Sequence, residues 1–159
     1  MPLPVTHVPD HLTLRAGVKR YLDANGFTTD EYTAPKFAVK VLRWKLWFPN
    51  PPTRQRVIAL HDLHHVLTGY GTDFAGEAEI GAFELRGGCN TIFLWQINLA
   101  AAFIGLFVAP IRTVRAFFRA GGAHTLYVER RPLEAYLDRT IADLRRELGI
   151  PAGGYTAAR

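Results

Sequence analysis

The pattern of hydrophobic and polar residues along the chain predicts a protein built mostly of helices. Apolar residues recur at helical spacing after Thr13, and Gly26 is placed to end that first helix. Residues 36–48 alternate instead and then become rich in tryptophan, which favours a short strand or hairpin. Prolines in residues 49–52 break the chain, and the helix after them is apolar around most of its circumference. We therefore expect this helix to be buried on nearly every side.

A short turn joins the buried helix to a second helix over about residues 74–85. Gly69 interrupts the first helix, and Thr72 or Asp73 suits the N-cap of the second. Two helices joined by so short a turn pack antiparallel or at a steep angle. Gly81 lies in the middle of the second helix and permits the close approach of a neighbour.

The stretch over residues 92–109 is apolar apart from Gln96, Asn98 and several small residues. Two structures suit it: a buried central helix that lines a pocket for an apolar ligand, and a membrane span. A lone span beside a buried site is an awkward topology, so we expect the buried helix. Residues 111–119 follow as an amphipathic helix, with phenylalanines on one side and arginines on another. That pattern is typical of a membrane-surface helix and also of an ordinary surface helix with solvated arginines.

The last helix is predicted from an apolar stripe over residues 133–148. Pro132 suits its first position, and Gly149 suits its end. We expect residues 1–12 to be an N-terminal arm and residues 150–159 to be a loose tail. The chain is thus predicted to be a single all-α domain, with a short strand or hairpin around residues 36–48.

The composition restricts the class of protein and its partners. With 159 residues, 48% hydrophobic and 21% charged, the chain is long enough for one globular domain with its own core. The single cysteine, Cys89, excludes an internal disulfide and a cysteine-rich zinc site. The net charge of +5 is diffuse, so we expect no nucleic-acid partner. Because the N-terminal residues resemble neither a secretory signal nor a transit peptide, we expect a cytoplasmic protein.

The one polar sector of the buried helix carries the candidate chemistry. His61, Asp62 and His65 fall within about 100° of arc on this helix. An ionised Asp in apolar surroundings is costly unless something pairs with it. A divalent metal held by the two histidines, one turn apart, would pair with it well. On the second helix Glu77 is the natural fourth ligand, and Glu84 on the same face is placed to support a ligand or exchange a proton.

Two neighbouring residues are expected to lie outside this cluster. His64 stands between the motif histidines, and we expect it to face the apolar side as a hydrogen-bonded core histidine. Its alternative role is that of an extra ligand or acid/base group. Glu79 is expected to face away from Glu77, beside Phe83.

The order His61-Asp62-x-x-His65, followed by eleven residues and Glu77, is similar to a family signature. It resembles H-D-x-x-H-x(11)-E of the Coq-four ubiquinone biosynthesis proteins, at all four fixed positions. The likeness covers roughly residues 49–85. It implies a largely α-helical fold and a divalent metal bound by the four motif residues, most often zinc, with iron or manganese as alternatives.

The resemblance also implies a reaction and a set of partners. Family members remove the ring carboxylate from a prenylated hydroxybenzoate, and hydroxylation of the same ring carbon is also attributed to them. They lie peripherally on membranes, hold a polyprenyl chain in a hydrophobic channel and associate with other quinone-pathway enzymes. For this chain we therefore expect a metal-dependent decarboxylase for a prenylated or quinone-like small molecule, peripheral to the inner face of the membrane. A homodimer is compatible with this interpretation of the chain as a decarboxylase. The catalytic residues would be the motif residues His61, Asp62, His65 and Glu77, together with Glu84, which we add from its position on the second helix.

Other classes of function remain open. The His-Asp-x-x-His spacing is like that of zinc proteases, so a metallohydrolase with Asp62 as its base and Glu77 as its third ligand is one alternative. A phosphohydrolase of the His-Asp class would need further ligands. The residues available for them are His7, His11, Asp138 and Asp143. The non-enzyme alternative is a prenyl-lipid-binding scaffold for a quinone or natural-product pathway, for which residues 92–109 are the main support.

Overall fold

Eight α-helices and one hairpin make up the described part of the chain, which in this computed structural model is residues 7–41 and 44–156. The helices are α1 (Leu14–Asn25), α2 (Pro52–Thr68), α3 (Phe74–Gly87), α4 (Ile92–Val108), α5 (Pro110–Arg119), α6 (Leu126–Glu129), α7 (Glu134–Leu137) and α8 (Ile141–Leu148). The strands are β1 (Lys36–Val41) and β2 (Trp44–Pro49), and a short 3-10 helix covers Thr29–Tyr32. The prediction of a mostly helical single domain is confirmed.

Helix α1 begins and ends where the sequence predicts. The Thr13 hydroxyl accepts a hydrogen bond from the Ala16 N–H at 3.3 Å, which satisfies one free donor of the first turn. Gly26 ends the helix in the left-handed conformation, with φ of 70°. The apolar face of α1 packs against α2.

The hairpin is also confirmed. Its strands are antiparallel, with Lys36 opposite Pro49 and Val41 opposite Trp44. Asn50 joins the hairpin to the start of α2, because its side-chain amide donates to the Ala34 carbonyl oxygen at 2.9 Å. The hairpin therefore lies beside the first turn of the helix that carries both motif histidines.

Helices α2 and α3 place the candidate residues on facing surfaces. Helix α2 ends at Gly69, which has φ of 78°, and the last turns of the helix are buried. Asp73 caps α3, and its Oδ1 accepts a hydrogen bond from the Gly76 N–H at 2.9 Å. The predicted second helix is thus present, two residues longer than expected.

Helix α4 differs most from its prediction. We expect a buried central helix there, but only Leu94, Asn98 and Gly105 of α4 are buried. The most exposed of its large side chains are Ile92, Leu99, Phe103 and Phe107. The expectation of a buried helix is therefore wrong. Within residues 7–41 and 44–156, no helix combines the length and the apolar character needed to cross a membrane.

Small residues explain why α4 stays exposed. A Cβ atom added at Gly81 of α3 would lie 2.8 Å from the Cβ atom of Ala101 on α4. One added at Gly105 would collide with Ala78 and lie 2.5 Å from the Thr113 hydroxyl oxygen. The helix backbones thus approach along a narrow strip that has room only for small side chains. The larger residues of α4 point away from it, and the predicted close approach at Gly81 is confirmed.

The predicted last helix is divided into α7 and α8. Thr140 lies between them and forms an isolated antiparallel bridge with Thr13. Its hydroxyl also accepts a hydrogen bond from the Asp143 N–H at 3.1 Å, so Thr140 is the N-cap of α8. A single helix over residues 133–148 is therefore wrong, because the bridge to the start of α1 interrupts it. The predicted stop at Gly149 is confirmed.

The C-terminal segment is packed rather than loose. Tyr155 is 6% exposed and stacks on Tyr70, with ring centroids 5.7 Å apart. Its N–H donates to the Thr68 carbonyl oxygen at 2.8 Å. The prediction of a loose tail is wrong for residues 150–156, while residues 157–159 lie outside the described part.

The described part of the N-terminal arm is also fixed to the domain. Val8 is completely buried, and Asp10 forms an ion pair with Arg145, which is 1% exposed. Arg145 also donates to the Leu67 carbonyl oxygen at 2.8 Å. The arm therefore packs against the end of α2. Residues 1–6 of the predicted arm lie outside the described part.

Candidate metal centre

Three of the predicted ligands meet between α2 and α3. The Nε2 atoms of His61 and His65 are 3.2 Å apart. Glu77 approaches both: its Oε2 lies 3.4 Å from the His61 Nε2, and its Oε1 lies 3.4 Å from the His65 Nε2. In the described ranges, these three residues are the group of His, Cys, Asp and Glu side chains close enough together to hold a metal ion.

Hydrogen bonds at the far ring nitrogens set the tautomers of both histidines. The Nδ1 of His65 lies 3.0 Å from the Tyr70 carbonyl oxygen, which only accepts, so this nitrogen carries a hydrogen and donates it. The Nδ1 of His61 likewise donates to the Glu84 Oε1 at 3.0 Å. When both rings are neutral, each Nε2 therefore has a lone pair that faces the other ring and Glu77. This is the support that metal-binding histidines usually have in proteins.

The arrangement fits a metal ion. Two imidazole lone pairs and a carboxylate converge on one point, and such a group of acceptors needs a cation between its members. Zinc bonds of about 2.0 to 2.1 Å place tetrahedral ligand atoms about 3.3 to 3.4 Å apart. The Nε2–Nε2 separation of 3.2 Å is close to that spacing, and each Glu77 oxygen lies 3.4 Å from one of the two nitrogens.

A proton is the only other cation that these groups can share. Burial by itself would lower the pKa of His61, but Glu84 and Glu77 outweigh burial and raise that pKa well above its ordinary value. Burial would raise the pKa of Glu77, but hydrogen bonds from His61 and His65 lower it to about 2. The raised pKa of His61 reflects the nearby carboxylates, and the lowered pKa of Glu77 reflects the hydrogen-bond donors of the two histidines. A metal ion or a proton shared between the rings and the carboxylate satisfies both.

Asp62 lies in the same pocket but does not join the three-residue group. Its Oδ2 accepts a hydrogen bond from the Tyr32 hydroxyl at 2.5 Å. Burial raises the pKa of Asp62, although the bond from Tyr32 acts in the opposite direction. The role of Asp62 as a fourth ligand stays a prediction, and the structure gives it a different partner.

Glu84 is buried beneath the ligands and supports one of them. Its Oε1 accepts from the Nδ1 of His61 at 3.0 Å, the Nδ1 of His64 at 2.7 Å and the Tyr127 hydroxyl at 3.1 Å. Burial would raise the pKa of Glu84, but His61 and His64 hold it well below its usual range. His64 is completely buried, as expected for a hydrogen-bonded core histidine.

Other residues that the sequence brought into consideration lie apart from the centre. Glu79 binds Arg112 of α5, with 2.7 Å between its Oε2 and the Arg112 Nη2. The two aspartates considered for a phosphohydrolase have surface partners. Asp138 pairs with Arg15 at 2.8 Å, and Asp143 pairs with Arg146 at 3.0 Å.

The centre opens on both sides into cavities. One pocket of about 260 Å³ is walled by the aromatic side chains of Tyr21, Phe27 and Tyr32. On the other side a slot of about 200 Å³ runs between α2 and α4 from His61 to Arg54. The slot shares lining residues with an apolar groove of about 700 Å³ beneath the hairpin. A continuous lining thus leads from the groove to the candidate ligands.

Three tyrosines at the centre could not be found from the motif. Tyr32 binds Asp62, Tyr127 binds Glu84, and Tyr21 stacks on His65 with ring centroids 5.7 Å apart. Tyr32 and Tyr127 lie 30 and 43 residues from their partners in sequence. No local spacing connects residues so far apart, so only the folded chain reveals them.

Comparison with protein-family models, with curated proteins and with solved structures finds no match to this chain. The class that the fold and the site define is therefore a helical protein with a candidate His-His-Glu metal centre. The resemblance to the Coq-four proteins rests on the motif alone.

Proposed function

We propose that this chain is a metal-dependent lyase that removes the carboxylate from a prenylated aromatic or quinone-like acid, as the Coq-four resemblance implies. The observation that carries this proposal is the convergence of the His61 and His65 lone pairs with Glu77. These three residues would hold the ion. A set of three protein ligands, beside a pocket, is typical of catalytic zinc, whereas structural zinc commonly has four.

The bound ion would stabilise the negative charge that develops on the aromatic ring as carbon dioxide leaves. The chain's own residues must then supply a proton to the ring carbon that keeps the electron pair. Asp62 faces the same pocket, and its raised pKa favours the protonated carboxyl. The Tyr32 hydroxyl holds Oδ2, which leaves Oδ1 to carry the proton. Solvent reprotonates Asp62 after each turnover.

The cavities support a substrate with a long apolar tail. The pocket walled by Tyr21 and Tyr32 is large enough for one aromatic ring. The slot between α2 and α4 would take the first part of the tail, and the groove of about 700 Å³ would take the rest. Phe93 and Tyr127 line both slot and groove, so an apolar chain passing between them meets aromatic surface.

The exposed face of α4 and α5 supports peripheral attachment to a membrane. Residues 92–119 contain no Asp or Glu, and Arg115 lies exposed beside the apolar side chains. Apolar and basic residues together suit a surface of anionic lipid. The groove opens beside the start of α4, so a prenylated molecule could pass from the membrane into it. The same face is available for a homodimer or for other enzymes of the pathway.

The experiment that tests the proposal is elemental analysis of untagged protein, with His65→Ala as the variant and His124→Ala as the control. His124 pairs with Glu129 outside the centre. We expect about one zinc, iron or manganese per chain in the parent and in the control, and a loss of metal from His65→Ala. Mass spectrometry should then show that loaded protein converts a prenylated hydroxybenzoate to its decarboxylated product. Metal near zero in all three proteins would contradict the proposal.

The second candidate function is that of a prenyl-lipid-binding scaffold. The volume of the groove favours it, because a binding protein needs that cavity without needing chemistry at its end. Protein that retains a prenylated lipid through purification, and that holds metal without turning the acid over, would support the scaffold over the enzyme.

A further inference from the structure

We infer that Tyr127 and His64 are positioning residues for the metal centre, which act through Glu84 on the metal-binding nitrogen of His61. The inference rests on the proposed metal site and adds two residues that the motif does not contain. It starts from a group of four buried or partly buried side chains joined by hydrogen bonds.

The tautomer of His64 follows from its two neighbours. The Leu126 N–H lies 3.0 Å from the His64 Nε2, and a backbone N–H can only donate. The Nε2 of His64 is therefore an acceptor, and the hydrogen of the neutral ring is on Nδ1. That hydrogen points to the Glu84 Oε1 at 2.7 Å. Helix α6 thus determines which nitrogen of a histidine on α2 donates to Glu84.

One oxygen of Glu84 then has three donors. His64, His61 and the Tyr127 hydroxyl all reach Oε1, and the Glu84 side chain is 1% exposed. Donors fixed on two sides leave that oxygen little freedom to rotate away from His61. A carboxylate held in this position keeps the hydrogen of His61 on Nδ1, and the lone pair on Nε2 faces the metal position.

Tyr127 is the sharper probe of the two. Its hydroxyl is the only part of the side chain that binds Glu84, while its ring lines the slot and the groove. Tyr127→Phe keeps the ring and removes the hydrogen bond to Glu84, together with a longer contact of 3.4 Å from the hydroxyl to the Val57 carbonyl oxygen. Loss of a partner to a metal-ligating histidine typically weakens metal binding about 10- to 100-fold. Here the direct partner is Glu84, and Tyr127 acts only through it, so we expect a smaller effect: Tyr127→Phe should bind zinc about fivefold more weakly than the parent.

The matched control is Tyr155→Phe. The Tyr155 hydroxyl is buried and has no hydrogen-bond partner among the residues that the structure describes. Both variants remove one buried hydroxyl, so a general effect of that loss would appear in both. The measurement is competition for zinc with a chromophoric chelator at fixed pH, with circular dichroism to verify that each variant is folded.

The outcomes separate this inference from the proposed function. A roughly fivefold loss in Tyr127→Phe, with Tyr155→Phe equal to the parent, would support it. Equal zinc affinity in all three proteins would overturn it and leave the metal site intact, whereas a parent that binds no zinc would overturn both. A measurement on the parent needs no variant: nitrogen-15 NMR of the histidine rings should show hydrogen on Nδ1 of His64. Hydrogen on Nε2 of His64 would overturn the inference.

Discussion

At the scale of single residues, the centre is an arrangement of acceptors that need one positive charge. When no metal is bound, a proton on His61 supplies this positive charge, because Glu84 and Glu77 raise the pKa of His61. A metal ion and the His61 proton therefore compete for the same lone pair. This competition links zinc binding to pH.

The raised pKa of His61 predicts the direction in which zinc affinity changes with pH. Since the pKa of His61 is raised above its ordinary value, the ring is charged up to a higher pH than an ordinary histidine, and a charged ring must lose a proton before its Nε2 can bind zinc. Zinc affinity should rise with pH up to that pKa, and zinc binding below it should release protons. Titration calorimetry in buffers of different ionisation enthalpy counts the protons. Zinc binding without proton release would contradict the prediction.

At the scale of elements, small residues decide how α4 packs. Gly105 faces Ala78 of α3 and Thr113 of α5, so three helices share one close contact. A strip this narrow buries little of α4. Most of the large apolar side chains in residues 92–109 therefore lie on the surface of the domain rather than in its core.

This packing predicts the effect of one added methyl group. In an exposed helix Gly→Ala is stabilising, by up to about 1 kcal/mol. At Gly105 the new Cβ atom would meet Ala78 and the Thr113 hydroxyl, so we expect Gly105→Ala to lower the free energy of unfolding by about 2 kcal/mol. Urea denaturation measures the change, and Ala100→Val on the exposed side of α4 is the control for added volume. If Gly105→Ala raised the free energy of unfolding instead, α4 would have to lie farther from α3 and α5 than in this structure.

At the scale of the whole molecule, the apolar surface of α4 and α5 is the most conspicuous feature outside the centre. Phe107 is 76% exposed and Phe118 is 74% exposed. Apolar patches of this kind mark surfaces that bind membranes or other proteins. If the protein acts on prenylated molecules as proposed, a lipid surface would be a partner that also supplies the substrate.

Sedimentation with vesicles tests this role of the surface. We expect the full chain to bind vesicles that contain anionic lipid, and the double variant Phe107→Ser and Phe118→Ser to bind at least about tenfold more weakly. Phe27→Ser is the control, because Phe27 is 47% exposed and follows α1, which packs against α2 and α7. An equal loss in the control would contradict a specific role for α4 and α5. Dimers of the parent, lost in the double variant, would assign the surface to a second copy instead.

Much of the local structure could be predicted because local rules decide it. Thr13 and Gly26 bound α1, and Asp73 caps α3, since a side-chain oxygen or a left-handed glycine is needed at those positions whatever surrounds them. The break at Thr140 could not be predicted in this way. It depends on a bridge to Thr13, which lies at the far end of the chain.

The same division holds for the centre. The sequence by itself determined that His61 and His65 lie one helical turn apart and that Glu77 follows on the next helix, because helical geometry and a short turn suffice for both. Only the tertiary structure decided that Asp62 turns to Tyr32 and that Tyr127 supports Glu84. It also decided that α4 stays exposed. These contacts join segments distant along the chain, and close packing in three dimensions selects them without leaving a periodic pattern in the sequence.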